Sequence, residues 1–389
     1  MVDGPPKTRP RTSDLARGDS SPLQSERNSP SPPYGEDPYI EHLGKFPFSQ
    51  EFVTTFLSMP PKSKHAFETG RILEDIIFHS VRFAPPDSKW IKNNPILHWI
   101  LDLKCDDVKK WFSKAERAEI MSMGPPLPPR DAGFEFAVER FPKVPESFEQ
   151  LLDITESLTR PAGTPYVRAT HCNATYSNHA AIAILRVIES YNSCSWLGPQ
   201  DLREGWFTNI WQPLVDHCLH SIPSFAIFRT DIKSSSSVDN NYRFDGILRA
   251  KLQNSTVYEL GCIEVARVPK ATAATKGETD TSKLISGLHD MLGVLERSVD
   301  SGEETMKSLQ VVGIQNIGFQ VNMWTMHKVG KHVALLQKGQ VRSVPMEWKD
   351  FKQAIHVMRA VVMVKLILER NITAVRDWES RREDSGDVL

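Results

Sequence analysis

Apolar residues follow two spacings along this chain, and the change from one to the other falls near residue 220. Before it the spacing is helical. SKHAFETGRILEDIIFHSVRF sets Phe67, Ile72, Ile76, Ile77 and Val81 on one helical face, and SKAERAEIMSM adds a Ser cap and a Glu-rich turn. A small helical region is therefore predicted over 41–123. PPLPPRDAG at 125–133 closes it, because prolines remove amide donors and favour an extended linker. Helices are also predicted near 146–158, 178–192 and 200–220, the last with an apolar side of Trp206, Ile210, Leu214 and Leu219.

After residue 220 the period shortens. SFAIFRTDIK, YRFDGILRA and VYELGCIEVA are β-branched or aromatic runs separated by the turn-rich SSSSVDNN and QNST, which predicts a three-stranded meander. Helical spacing returns over 281–299 through Leu284, Leu288, Met291, Leu292 and Leu295, with Thr281 or Ser282 as the cap. Strands resume in LQVVGIQNIGFQVNMWTM and KHVALLQKGQV, and a long helix from Glu347 to about Trp378 follows. This order predicts a mixed α/β domain over 136–378, preceded by a helical region and Pro-rich linker over 41–135. Residues 1–40, rich in Pro, Ser and charge, are expected to be a disordered tail, as are 379–389.

Composition narrows the function. The 389 residues, 40% hydrophobic, can bury a sizeable core, and 47 basic against 48 acidic residues give a net charge of -1. No whole-chain field would draw nucleic acid or an anionic membrane, so any nucleic-acid contact must be local. Lys328, Lys331, His332, Lys338 and Arg342 surround a predicted hairpin and fit either phosphate contact or protection of a strand edge. KTRPR at 7–11 fits a nuclear-import element or an ordinary solvated run. Cys105, Cys172, Cys194, Cys218 and Cys262 form no CxxC pair and are expected to be reduced thiols. The N-terminus has no apolar signal core, and Lys365 interrupts AVVMVKLIL at 360–368, so an intracellular protein, nuclear or cytoplasmic, is expected and no membrane partner. The sequons at Asn173, Asn254 and Asn371 are then chance matches. Nucleotide-binding glycine motifs and GxSxG are absent, and His217, Cys218 and His220 lack the distant ligands that a zinc site needs.

Two acids stand out against this background. Asp245 lies inside YRFDGILRA and Glu264 inside VYELGCIEVA, both runs that otherwise look like buried strands. Alternation puts Glu264 on the face of Cys262 and Ala266, and Asp245 on that of Ile247. On adjacent strands the two carboxylates can converge, and close carboxylates raise each other's pKa unless a cation lies between them. A hard ion such as Mg²⁺ or Mn²⁺ suits such oxygens. The other reading is structural: Asp245 as an acid beside the turn at Gly246, and Glu264 paired with Arg243 or Arg267.

The run F-D-G-I-L, with I-E-V-A nineteen positions later, resembles the PD-(D/E)XK, or restriction-endonuclease-like, nuclease superfamily over residues 178–325. The chain is also similar to a group of fungal proteins with a degenerate version of this core, and 60–123 resembles their upstream helical segment. The resemblance implies a restriction-endonuclease-like mixed sheet flanked by helices, with an N-terminal helical layer. It makes Asp245 and Glu264 metal ligands for Mg²⁺ or Mn²⁺ and implies phosphodiester hydrolysis of nucleic acid. The chain departs from the motif at Ala266, where the lysine should stand, and at Phe244, where the proline should stand. Lys283, expected in the first turn of the next helix, is the substitute cation that the resemblance implies, since some members supply it from there; the other reading is an ordinary solvated lysine at a helix start. Glu204 is the candidate third metal ligand from the preceding helix, with Asp216 as its rival. The resulting expectation is a metal-dependent nuclease with Asp245, Glu264 and Lys283 as catalytic residues. The alternative is a catalytically inactive module of the same fold that binds nucleic acid or a protein partner. A scaffold that works through PPLPP would need no site.

Overall fold

Burial along the strands explains the architecture. In a computed structural model, residues 50–84, 94–157, 168–193, 202–237, 241–252, 256–267, 274–299 and 303–385 are described. The expected tail at 1–40, with its KTRPR run, lies outside them. Strand β4 (Val257–Ala266) is buried at every position after its first, and β5 (Val311–Ile317) at every position but its last, so neither can sit at an edge. The remaining strands are β1 (Ile100–Leu101), β2 (Phe225–Lys233), β3 (Arg243–Lys251), β6 (Gln320–Val329), β7 (Val333–Lys338) and β8 (Arg342–Ser343). They form one eight-stranded sheet in the order β1-β7-β6-β5-β4-β3-β2, with β8 on β6. Strands β2, β3 and β4 are the antiparallel meander, β4 runs parallel to β5, and β1 runs parallel to β7.

The helices are α1 (Gln50–Ser58), α2 (Leu73–Arg82), α3 (Asp106–Lys109), α4 (Lys114–Ser122), α5 (Ala132–Val138), α6 (Phe148–Ser157), α7 (Arg168–Ser193), α8 (Glu204–Leu219), α9 (Ala274–Ser298), α10 (Glu303–Ser308) and α11 (Phe351–Ser385). The stripe Leu284, Leu288, Met291, Leu292 and Leu295 on α9 is fully buried, and Gly313 of β5 lets Leu284 and Leu288 approach the sheet. Cys262 and Glu264 lie beside Gly313 and Gln315 in register, so they share that face. On the other face Asp216 of α8 pairs with Arg229 of β2, which lies beside Gly246 and Ile263. Helices α8 and α9 therefore cover opposite faces of one mixed α/β sheet.

Several local expectations shift. The helix after Phe67 starts only at Leu73, because Gly70 turns the chain with φ 80° and Ala66 bridges to Ile72. Ser113 caps α4 as expected, accepting from Glu116 N at 3.2 Å while Glu116 accepts from Ser113 N at 2.8 Å. The helical reading of 41–123 omitted β1, which is too short to show a period, and Phe46–Leu389 form one compact unit. Helix α5, capped by Asp131, begins within the stretch read as linker and runs across the expected domain boundary at 135/136. Helix α11 runs on to Ser385, past the expected end near 378. Among the described residues, no helix is long and apolar enough to cross a membrane. Lys365 is buried and donates to Asn173 Oδ1 at 2.6 Å, and Asn371 is buried against Gln310, so both of these sequons have internal partners.

Candidate functional site

Pairing of β3 with β4 ends at Gly246↔Ile263. The next strand donor, Val265 N, is taken by the Asp245 side chain, whose Oδ2 accepts at 2.7 Å. Asp245 thus replaces a rung of the ladder and is held level with the end of β4. Glu264 points from that end into the layer beneath α9 and is 3% exposed. Its neighbour across the parallel pair is Gln315, whose Nε2 donates to Thr281 Oγ1 at 2.8 Å.

Lys283 completes the group. Its Nζ stands 2.6 Å from Glu264 Oε1, donates to Arg243 O at 2.8 Å, and lies 5.4 Å from the centre of the Phe244 ring. Phe244 is itself fixed against Gly287, where an added Cβ would come within 2.3 Å of the ring. The expectation that Lys283 lies in the first turn of its helix is corrected: α9 begins at Ala274, so the lysine sits in its third turn. The polar run ATKGETD gave no apolar period by which to see those earlier turns.

The electrostatics show an acid-rich site. Burial pushes the Glu264 carboxyl up to about 8, and Asp245 and Asp280 add to the rise while Lys283 opposes it. Lys283 is near enough for an ion pair, yet Glu264 Oε1 is buried without an aligned hydrogen bond. One lysine against burial and two further acids leaves the carboxyl raised. Burial and Glu264 likewise push the Cys262 thiol well up, so it is no nucleophile at neutral pH.

Asp245, Glu264 and Lys283 are therefore brought together. Glu204 is not part of a ligand cluster with them: it opens α8, and among the described residues no three His, Cys, Asp or Glu side chains converge as metal ligands. Asp216 is engaged with Arg229 through Arg229 Nε at 3.2 Å. Arg243, expected as a partner for Glu264, pairs instead with Asp231 at 2.9 Å. Asp280 was missed, and its place inside α9 became visible only with the helix start. The basic hairpin is largely spoken for within the chain: Lys328 pairs with Glu296 at 3.1 Å, Lys338 with Asp102 at 2.7 Å, and His332 contacts Ser63 at 2.7 Å.

Sequence reasoning also missed a second buried acid on the same strand. Glu259 accepts from Ser234 Oγ at 2.6 Å, Ser235 N at 3.0 Å, Ser236 N at 3.1 Å and Arg249 Nη2 at 2.7 Å. Burial pushes its carboxyl up, but these donors outweigh burial and hold it at about 2. The SSSS run that supplies them carries only a turn signal in the sequence. No protein-family model, curated protein or solved structure matches the chain.

Proposed function

We propose that this protein is a divalent-cation-dependent phosphodiesterase of the PD-(D/E)XK type, acting on nucleic acid. One observation supports this most: Lys283 on α9 reaches Glu264 on β4 beside Asp245, which provides a cation where Ala266 replaces the motif lysine. The donors fit a hard ion. They are carboxylate oxygens, Glu264 Oε1 is buried and poorly satisfied, and Mg²⁺ commonly takes only one or two protein carboxylates, with waters and phosphate completing its shell. Asp245 and Glu264 would hold the ion. When bound, it would supply Lewis acidity and a water acidic enough to attack a phosphodiester near neutral pH.

The chain's own groups have separate tasks in this reading. Glu264 must lose its proton before it can ligate, and its raised pKa makes that loss the costly step near neutral pH. Asp245 is fixed by Val265 N, which sets its direction without a long flexible stem. Lys283, anchored on Arg243 O above Phe244, holds positive charge where negative charge develops on the phosphoryl oxygens.

Cleavage of labelled DNA and RNA with Mn²⁺ tests the proposal. Asp245→Asn and Glu264→Gln are expected to abolish cleavage, and Lys283→Met to lower kcat by about 10²-fold or more. The second reading, an inactive module that binds nucleic acid or a protein partner, is favoured by Asp245 Oδ2 already accepting from Val265 N within the chain. Nucleic-acid binding by the wild type without cleavage in any metal would select that reading.

A further inference from the structure

Two histidines distant in sequence meet at the solvent edge of the contact between α7 and α8. His179 of α7 and His217 of α8 are both exposed, and Nδ1 of the first faces Nε2 of the second, with ring centres 4.3 Å apart and planes inclined at 56°. The helices that carry them are fixed from beneath, because Tyr176 and Ala180 on α7 and Leu214 and Cys218 on α8 are buried in one core. Asp216, next to His217, ties α8 to the sheet through Arg229. Sites carried by packed helices hold their geometry better than sites on loops. Partial burial of the ring lowers the His217 pKa, and His179 and His220 lower it further, so this imidazole is neutral at pH 7.

We infer that His179 and His217 form a two-imidazole site for a divalent transition-metal ion of the Zn²⁺, Ni²⁺ and Cu²⁺ class, held by His179 Nδ1 and His217 Nε2 with waters in the remaining positions. The distant ligand that VDHCLH lacks in the sequence is supplied by α7. Imidazole nitrogen suits these ions, whereas Mg²⁺ and Ca²⁺ prefer oxygen. Rotation of the exposed rings sets the two nitrogens about 3.3 Å apart, the separation that two metal–nitrogen bonds of about 2.0–2.1 Å require in a tetrahedral shell. Each neutral ring then carries its proton on the nitrogen away from the ion, so a change of tautomer is enough to free both lone pairs. Among the described residues no third His, Cys, Asp or Glu completes a ligand set, and His220, one turn on from His217, donates through Nδ1 to Asp216 O at 2.5 Å. The site is therefore open to solvent and weaker than a closed four-ligand zinc site. An ion bound there links α7 to α8 and stabilises the folded chain, because the unfolded chain does not present the two rings together. Helix α8 covers the face of the sheet opposite α9, so this site stands apart from Asp245 and Glu264.

Calorimetric titration of the full chain with Ni²⁺ at pH 7, in a buffer that does not chelate the ion, tests this. Saturable binding is expected in the wild type and is weaker by about tenfold or more in His179→Gln and in His217→Gln, because each ring gains its effective concentration from the other. His220→Gln and Glu264→Gln are expected to leave the affinity unchanged, which separates this pair from the neighbouring histidine and from the acid pair. Ni²⁺ should also raise the thermal unfolding midpoint of the wild type and leave that of either pair variant where it stands without metal. Both rings are exposed, so the metal-free variants should unfold at the wild-type midpoint, and if one does not fold the other decides. Absence of saturable binding up to about 1 mM Ni²⁺ would overturn the inference, as would unchanged affinity in either pair variant or an equal loss in His220→Gln or Glu264→Gln.

Discussion

The two ends of strand β4 treat a buried glutamate in opposite ways. At the first end Glu259 meets two backbone amides, a serine hydroxyl and an arginine, and its carboxyl falls to about 2. At the other end Glu264 meets one lysine amid further acids, and its carboxyl rises to about 8. Burial is similar at both, with 3% of each residue exposed, so the difference comes from the donors supplied. A charge that the fold has fully satisfied reads as structure. A charge left short of positive partners reads as a site that awaits one.

The largest effect is expected where the satisfied acid is removed. Glu259→Gln leaves four donors around a buried side chain, the half-buried Arg249 among them, without their anion and should cost about 3 kcal/mol in urea unfolding at pH 7. Because the folded-state pKa of Glu259 lies below the ordinary 4.5, its stabilisation is complete above that value and is lost as pH falls through about 2. The variant should therefore lack this part of the acid limb. Next comes Gly287→Ala, which drives a methyl into the Phe244 ring beneath Lys283. It should cost about 2 kcal/mol and weaken any activity of the site together with stability.

The smallest effect has the opposite sign. Glu264 has a raised pKa, so between 4.5 and about 8 the folded chain holds a proton that the unfolded chain has lost, and stability falls as pH rises through that window. Glu264→Gln should flatten this decline and, above pH 8, stabilise the metal-free protein by about 1 kcal/mol. A loss of stability instead would mean that the Lys283 pair is as well satisfied as the Glu259 cluster, and the contrast between the two ends would disappear.

Much of this was legible in the sequence where one residue breaks a strong period. Asp245 and Glu264 stood out because each interrupts an apolar strand run, and the meander was visible from its turns. What depends on contacts distant in sequence was hidden. Glu259 looks like any strand-start acid until Ser234, Ser235 and Ser236 fold back on it. Asp280 and the true position of Lys283 were obscured because the first turns of α9 are polar. Strand β1, with two residues, has no period at all and owes its identity to β7.

The central claim is that Glu264 releases its proton to solvent when a divalent ion binds between it and Asp245. Calorimetric titration with Mn²⁺ at pH 7, repeated in two buffers of different ionisation enthalpy, measures this directly. The account predicts release of about one proton per ion bound, with both binding and release lost in Glu264→Gln. No binding at millimolar Mn²⁺, or binding that Glu264→Gln leaves unchanged, would contradict it.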